Sequence, residues 1–247
     1  MAFYNHNIPS LSWEPGEQFD TEFSWSLGLA YRTRSRRIAK TSIMHNVKVY
    51  YFPAKAKAEG LRMMLAYGGQ EFEDIRIPKD EWPQWKPKMK FGQMPVLEID
   101  GEQFAQSVAA ARYLGREFGL SGSNANEDFN IDCIVDHCTD IFIRGATVTY
   151  ETDPEAKKKK QELFAKEHYP GMLAKLEETI AENDGYLANG KLSWGDFYIA
   201  GMFDCMKMML QMPDLGDKCP NLKALHERVL ALPKVKAWAA NAPHADY

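Results

Sequence analysis

The stretch FGQMPVLEIDG, residues 91–101, governs how the first half of this chain folds. Val96, Leu97 and Ile99 have the character of a short buried strand, but Pro95 stands at its mouth with no N–H to give to a ladder. Proline is accepted at the first residue of a strand, and an X–Pro bond adopts the cis form at far lower cost than any other peptide bond. The sequence therefore predicts a strand opened by a cis Met94–Pro95 bond, with the backbone before it turned away from the sheet. Gly101 then turns the chain into a second short strand near Gln103 and Phe104.

On the N-terminal side, VKVYYF (47–52) alternates and is rich in β-branched and aromatic residues, the pattern of a strand. AEGLRMMLAYGG (58–69) places Leu61, Met64 and Leu65 on one helical face, and Gly68-Gly69 ends that helix. EFEDIRI (71–77) returns to strand alternation, and the Trp- and Pro-rich DEWPQWKPKMKFGQM (80–94) reads as a loop. On the C-terminal side, Ser107 is expected to cap an apolar helix running through VAAARYLGREF (108–118). The order β-α-β-loop-β-β-α predicts an α/β unit with a parallel and an antiparallel part, residues 47–121.

GLSGSNANED (119–128) is a linker by composition, and the rest, residues 128–247, carries helical patterns only. Ile131, Ile134, Val135, Cys138, Ile141 and Phe142 form a helical stripe. Asp153-Pro154 starts a helix whose Lys157–Lys160 run is a solvated face; Pro170 should kink it and Asn183-Asp184-Gly185 should stop it. SWGD (193–196) has the spacing of a capping box, and Pro220 and Pro233 open two short helices. The fold class is thus α/β followed by all-α.

With 247 residues, 45% of them hydrophobic, the chain can bury a full core, and a net charge of −4 gives no general case for nucleic acid or membrane binding. Its four cysteines show neither Cys-x-x-Cys nor zinc spacing, which suits a reducing, cytoplasmic setting. Residues 1–46 differ in kind: four acids precede RTRSRRIAK (32–40), a burst of five basic groups. The expectation is a disordered, non-catalytic extension, with a targeting segment or basic arm as the alternative.

Phosphate-binding glycine motifs and His-x3-His spacing are absent. Asp132, Asp136 and Asp140 share one helical face and read as a solvated or partner-facing stripe, so no metal is expected. The informative grouping is Tyr50-Tyr51 at the end of the first strand, Trp82 and Lys86 in the loop, Pro95, and Gln106-Ser107 at a helix N-terminus. That terminus offers free N–H groups and a positive dipole end to a carboxylate, Lys86 a charge to a second one, and the backbone before Pro95 a partner for an extended peptide. Singly, Tyr51 can be a sheet residue, Trp82 core packing and Ser107 a plain cap. Together they describe a site for a small anionic peptide.

These segments resemble the cytosolic glutathione transferases, specifically the sigma class of insects and other invertebrates. The likeness rests on VKVYYFPAKAKAEGLR, EDIRIPKDEWPQWKPKMKFGQMPVLEIDG, QSVAAARYLGREFGLSG, IDCIVD and GKLSWGDFYIAG, five motifs in order from Val47 onward. It implies a thioredoxin-like glutathione-binding domain, a helical C-terminal domain, a homodimer, and glutathione as co-substrate. It assigns the catalytic hydroxyl to Tyr51, because alternation turns Tyr50 to the other side. It places Lys57 near that hydroxyl, counts Phe52 among the glutathione-binding residues, and sets Trp82 and Lys86 at the glycine end of glutathione, Gln93, Met94 and Pro95 at its cysteinyl backbone, and Gln106 and Ser107 at its γ-glutamyl end. Asp140 would reach glutathione in the neighbouring subunit. Lys57 stands where many sigma enzymes have arginine, and Thr139 replaces an acid that helps bind magnesium in prostaglandin-synthesising members. The second substrate would lie among Phe52, the helix from Phe142 to Tyr150, and Met206. The implied activity is conjugation of glutathione to small hydrophobic electrophiles, including lipid-peroxidation products. The alternatives are glutathione-dependent isomerisation of prostaglandin H2 to D2, or a crystallin-like structural role.

Overall fold

The computed structural model describes residues 44–245, and the expected N-terminal extension lies outside them up to residue 43. Four short strands, β1 (Lys48–Tyr51), β2 (Glu73–Arg76), β3 (Val96–Ile99) and β4 (Glu102–Ala105), form one sheet in the order β2-β1-β3-β4. β1 pairs parallel with β2, with Tyr51 opposite Arg76, and antiparallel with β3, with Tyr50 opposite Val96. Helix α1 (Ala56–Gly68) makes the crossover between the parallel strands and ends at Gly69 in the left-handed conformation, as the glycine pair predicted. The segment read as a loop holds a short helix, α2 (Trp82–Trp85), and two single turns.

Alternation along the strands sorts the sheet into two faces. Val49, Leu97 and Ile99 point into the large core with α1 and α3 (Ser107–Glu117). Tyr50 and Val96 point the other way, into a small cluster with Ile77 and Met89 that Trp82 and Trp85 cover. The sheet domain also reaches further back than residue 47. Met44 is buried, and the Gln70 side chain accepts from its N–H at 3.1 Å and donates to its carbonyl at 2.9 Å.

The remainder is helical: α4 (Ala125–Thr149), α5 (Pro154–Leu163), α6 (Tyr169–Glu182), α7 (Trp194–Met209), α8 (Leu215–Lys218), α9 (Pro220–Leu230) and α10 (Pro233–Ala239). α4 begins inside the segment read as linker, because the Asn124 side chain accepts from the N–H groups of Asn126 and Glu127 and caps it there. A π-helical turn, Phe164–His168, joins α5 to α6 just before Pro170. α7 is the buried axis of this half, and the SWGD capping box forms as read. Asp196 Oδ2 accepts from the Ser193 N–H at 2.8 Å and its hydroxyl at 2.7 Å.

α1 and α7 cross at glycine. A Cβ on Gly60 would lie 2.8 Å from Tyr198 Cα, and one on Gly201 would lie 2.4 Å from the Gly60 nitrogen. Only backbone on backbone fits there, so one hydrophobic core runs from the sheet through α7 into the helical half. Of the four free cysteines, Cys138, Cys205 and Cys219 are buried and Cys133 is exposed on α4.

Candidate functional site

The Met94–Pro95 bond is cis, and β3 begins directly after it. Met94 lies outside the strand and takes no part in the turn and loop backbone hydrogen bonds of the described residues. Beside it lies a cavity of ≈ 350 Å³ lined by Phe52, Lys57, Trp82, Lys86, Gly92, Gln93, Met94, Pro95, Gln106 and Ser107. Residues from the turn after β1, α1, the loop, the mouth of β3 and the start of α3 therefore meet at one place. Two lysines and no carboxylate line it, so its charge suits an anion.

The N-terminus of α3 strengthens that bias. Gln106, not Ser107, is the capping residue, and its side chain gives no capping bond; Ser107 is the first helical residue. The first N–H groups of the helix are thus left to a ligand at the positive end of its dipole. Gln106 holds φ +72°, a left-handed conformation that costs a non-glycine residue of order 1–3 kcal/mol and is found at ligand clamps. Its amide donates to Gln93 Oε1 at 3.3 Å, which links the two sides of the cavity.

Tyr50 and Tyr51 have opposite fates. The Tyr50 hydroxyl is tied to Glu98 at 3.4 Å, and burial together with that carboxylate pushes it up to about 12. Tyr51 lies at the end of β1 with its ring 5.7 Å from that of Phe52, and it is Phe52, not Tyr51, that lines the cavity. Burial pushes its phenol far above the ordinary range, Cys205 and more weakly Tyr150 add to this, and a hydrogen bond from the Lys57 backbone N–H opposes it. A hydroxyl that accepts from Lys57 keeps its own proton to donate, and the raised phenol holds that proton at neutral pH.

Arg62 packs beside the Tyr51 ring and escaped the sequence reading. Fully buried, it lies 6.0 Å from the Tyr51 ring and donates to Asp74 at 2.9 Å, to the Ala54 carbonyl at 2.7 Å and to Glu59 at 3.1 Å. It thereby pins the β1–α1 turn whose next residues present Lys57. An arginine inside the apolar run GLRMML was the available signal, but its partners lie on three separate segments.

Across the domain boundary, Ser107 Oγ lies 3.0 Å from the hydroxyl of the buried Tyr198 on α7. Tyr198 also lines a crevice of ≈ 10 Å³ with Lys57, Cys138, Thr139, Phe142, Ile199, Met202 and Met206. Phe142 and Met206 were expected at the second-substrate pocket and are here. Phe52 lines the larger cavity instead, and Tyr150 is exposed at the end of α4. The Lys57 ammonium sits 5.3 Å from the centre of the Phe142 ring and borders both spaces.

Asp140 lies on the exposed side of α4 and does not line the cavity within one chain. Asp132, on the same stripe, pairs with Arg112 at 2.8 Å, and among the described residues no group of three His, Cys, Asp or Glu could hold a metal ion. A further cavity of ≈ 300 Å³ is bordered by Lys55, Glu59, Arg76, Asp204 and His226. Its charges are matched internally, Lys55 with Asp204, Glu59 with Arg62 and Arg76 with Asp74, which leaves no excess charge for an ion.

Comparison with known proteins agrees with this geometry. Two family models match, "Glutathione S-transferase, N-terminal domain" over residues 45–116 and "Glutathione S-transferase, C-terminal domain" over residues 139–242. The chain is 50% identical to glutathione S-transferase 2 of Manduca sexta, over 83% of this chain and 100% of that one. It is 36% identical to hematopoietic prostaglandin D synthase of Gallus gallus, over 81% of this chain and 98% of that one. Among solved structures, prostaglandin synthase D of Nilaparvata lugens superposes with a TM-score of 0.76 at 42% identity, covering 81% of this chain and 99% of that one.

Proposed function

We infer what this chain does from its membership: it belongs to the glutathione S-transferase family. It is a transferase with a thioredoxin-like N-terminal half and a helical C-terminal half, its co-substrate is glutathione, and it conjugates the thiol of glutathione to electrophiles. The carrying observation is the cavity beside Pro95, walled by two lysines and no acid, with the buried Tyr51 packed behind its Phe52 wall and its phenol kept protonated by burial.

In our reading, glutathione lies extended in that cavity. Its γ-glutamyl carboxylate meets Gln106, Ser107 and the open N-terminus of α3, Met94 pairs with its cysteinyl backbone, and Trp82 and Lys86 hold its glycine end, with Gln93 and Pro95 shaping the wall. The Tyr51 hydroxyl donates a hydrogen bond to the sulfur and so stabilises thiolate over thiol, the thiol proton being lost to solvent. A free thiol with a pKa near ~8.5 is mostly protonated at neutral pH, so each unit of depression gives a roughly tenfold gain in nucleophile until ionisation is nearly complete. The thiolate attacks the electrophilic carbon and forms a C–S bond. The displaced electron pair leaves with the leaving group or, in an unsaturated aldehyde, moves to the carbonyl and takes up a proton.

We place the glutathione-binding domain at residues 44–121 and the helical domain from the start of α4 at residue 125, and the electrophile against Lys57, Phe142, Tyr198 and Met206. The crevice there is narrow, and methionines, the most adaptable apolar side chains, would widen it. This favours small hydrophobic electrophiles such as lipid-peroxidation aldehydes. We also assign a homodimer, supported by the exposed Phe91, Phe129 and Ile143, with Asp140 reaching the neighbouring glutathione. Four free cysteines fit a cytoplasmic setting, and among the described residues no helix is long and apolar enough to cross a membrane.

Steady-state turnover of a panel of unsaturated aldehydes and haloarenes with glutathione tests the conjugation reading, and failure of all of them at saturating glutathione would overturn it. The likeness to prostaglandin synthase D favours a second reading, isomerisation of prostaglandin H2 by the same thiolate. Product analysis with that endoperoxide separates the two.

A further inference from the structure

Ser107 and Tyr198 are one buried hydrogen-bonded pair shared between the two halves of the molecule. Ser107 is 9% exposed and borders the glutathione cavity, whereas Tyr198 is 4% exposed and borders the crevice on the other side. The backbone of Tyr198 is itself fixed, because Gly60 of α1 packs directly against its Cα. A serine hydroxyl donates one proton and accepts at its lone pairs, and where it points depends on which partner claims which role. If Tyr198 donates to Ser107 Oγ, the serine proton is released toward the cavity; if Ser107 donates to Tyr198, that proton is spent inside the protein.

We propose that Tyr198 is a positioning residue for glutathione: its hydroxyl donates to Ser107 and so aims the Ser107 proton at the γ-glutamyl carboxylate. This rests on the glutathione reading of the cavity. The chain of donors runs from tyrosine to serine to carboxylate, and each bond polarises the next. Burial raises the Tyr198 phenol, so it remains a donor throughout the neutral range. Because the Tyr198 ring is also a wall of the crevice, an electrophile pressing on that wall acts on the residue that aims Ser107. The two substrates are therefore coupled through a side chain that need not touch the sulfur.

The test is a double-mutant cycle with Tyr198→Phe, which removes a single oxygen, and Ser107→Ala. Glutathione Kd is read from tryptophan fluorescence, KM and kcat from conjugation of a chlorodinitrobenzene, and the bound-thiol pKa from ultraviolet thiolate absorbance. Tyr198→Phe should weaken glutathione binding and raise its KM about 5-fold, the scale of one neutral hydrogen bond, with the bound-thiol pKa held. In the Ser107→Ala background the same substitution should add nothing. An equal loss in both backgrounds, or a raised thiol pKa at unchanged Kd, would overturn the proposal. A wild-type protein that binds no glutathione would instead overturn the functional reading beneath it, and this proposal with it.

Discussion

At the scale of single residues, Tyr51 and Arg62 separate chemistry from support. On the proposed reading, Tyr51→Phe removes the hydrogen bond to the sulfur and leaves the ring. A bond to a charged group contributes about 1.5–3 kcal/mol, so conjugation at neutral pH should fall on the order of 10- to 100-fold. The sign is definite: less thiolate stabilisation means a higher bound-thiol pKa, and the activity profile should move to higher pH. An unchanged thiolate titration would remove Tyr51 from the mechanism. Arg62→Met strips a buried guanidinium from Asp74 and Glu59, and breaking such a pair costs about 3–5 kcal/mol, measurable as a lower urea midpoint. Strand alternation made it legible in the sequence that Tyr50 and Tyr51 face opposite sides of the sheet, as their packing into separate clusters shows. Arg62 was not legible, because a buried ion pair is defined by partners that only the fold assembles.

At the scale of elements, the helix starts can be tested one bond at a time. Ser193→Ala deletes a cap on α7 and should cost about 0.5–2 kcal/mol in denaturant unfolding. Asp196→Ala should cost more. It strips the buried N–H groups of Ser193 and Leu187 of their acceptor, and each such orphan costs about 1–3 kcal/mol. The Lys55–Asp204 pair joins the β1–α1 turn to α7 at 3.0 Å. Burial alone would raise the Asp204 carboxyl, but the hydrogen bonds and charge of Lys55, with help from Lys207, bring it below its ordinary value. A depressed carboxyl gives stability above its unfolded pKa and loses it as pH falls through the folded one. Wild type should therefore exceed Asp204→Asn in urea midpoint at neutral pH, and the gap should close as the pH falls below the ordinary carboxylate range. Caps, glycine stops and proline starts were legible because they are local. The start of α4 was misread because Asn124 sits in a run of Ser, Asn and Gly whose composition is that of a linker, while one asparagine side chain does the capping.

At the scale of the whole molecule, the decisive contact is Gly60 against Gly201. Gly201→Ala would set a methyl 2.4 Å from a backbone nitrogen, so α1 and α7 must part, at about 1–3 kcal/mol of stability. Because α1 carries Lys57 and α7 carries Tyr198, glutathione affinity should fall in the same variant; calorimetry of folding and of binding would show both losses. The class of each half could be read from periodicity, but the crossing could not, since a glycine inside a helix reads as a weakness until its neighbour is known. That contact also limits how the protein can move. With main chain resting on main chain at this crossing, the halves have no side-chain cushion to slide on there. Entry to the glutathione cavity is then left to its rim, to Trp82, Lys86 and Gln106, whose rotamers exchange far faster than domains close. Rapid mixing with glutathione should give a single binding phase whose rate rises linearly with concentration, without the plateau that a slow opening step would impose.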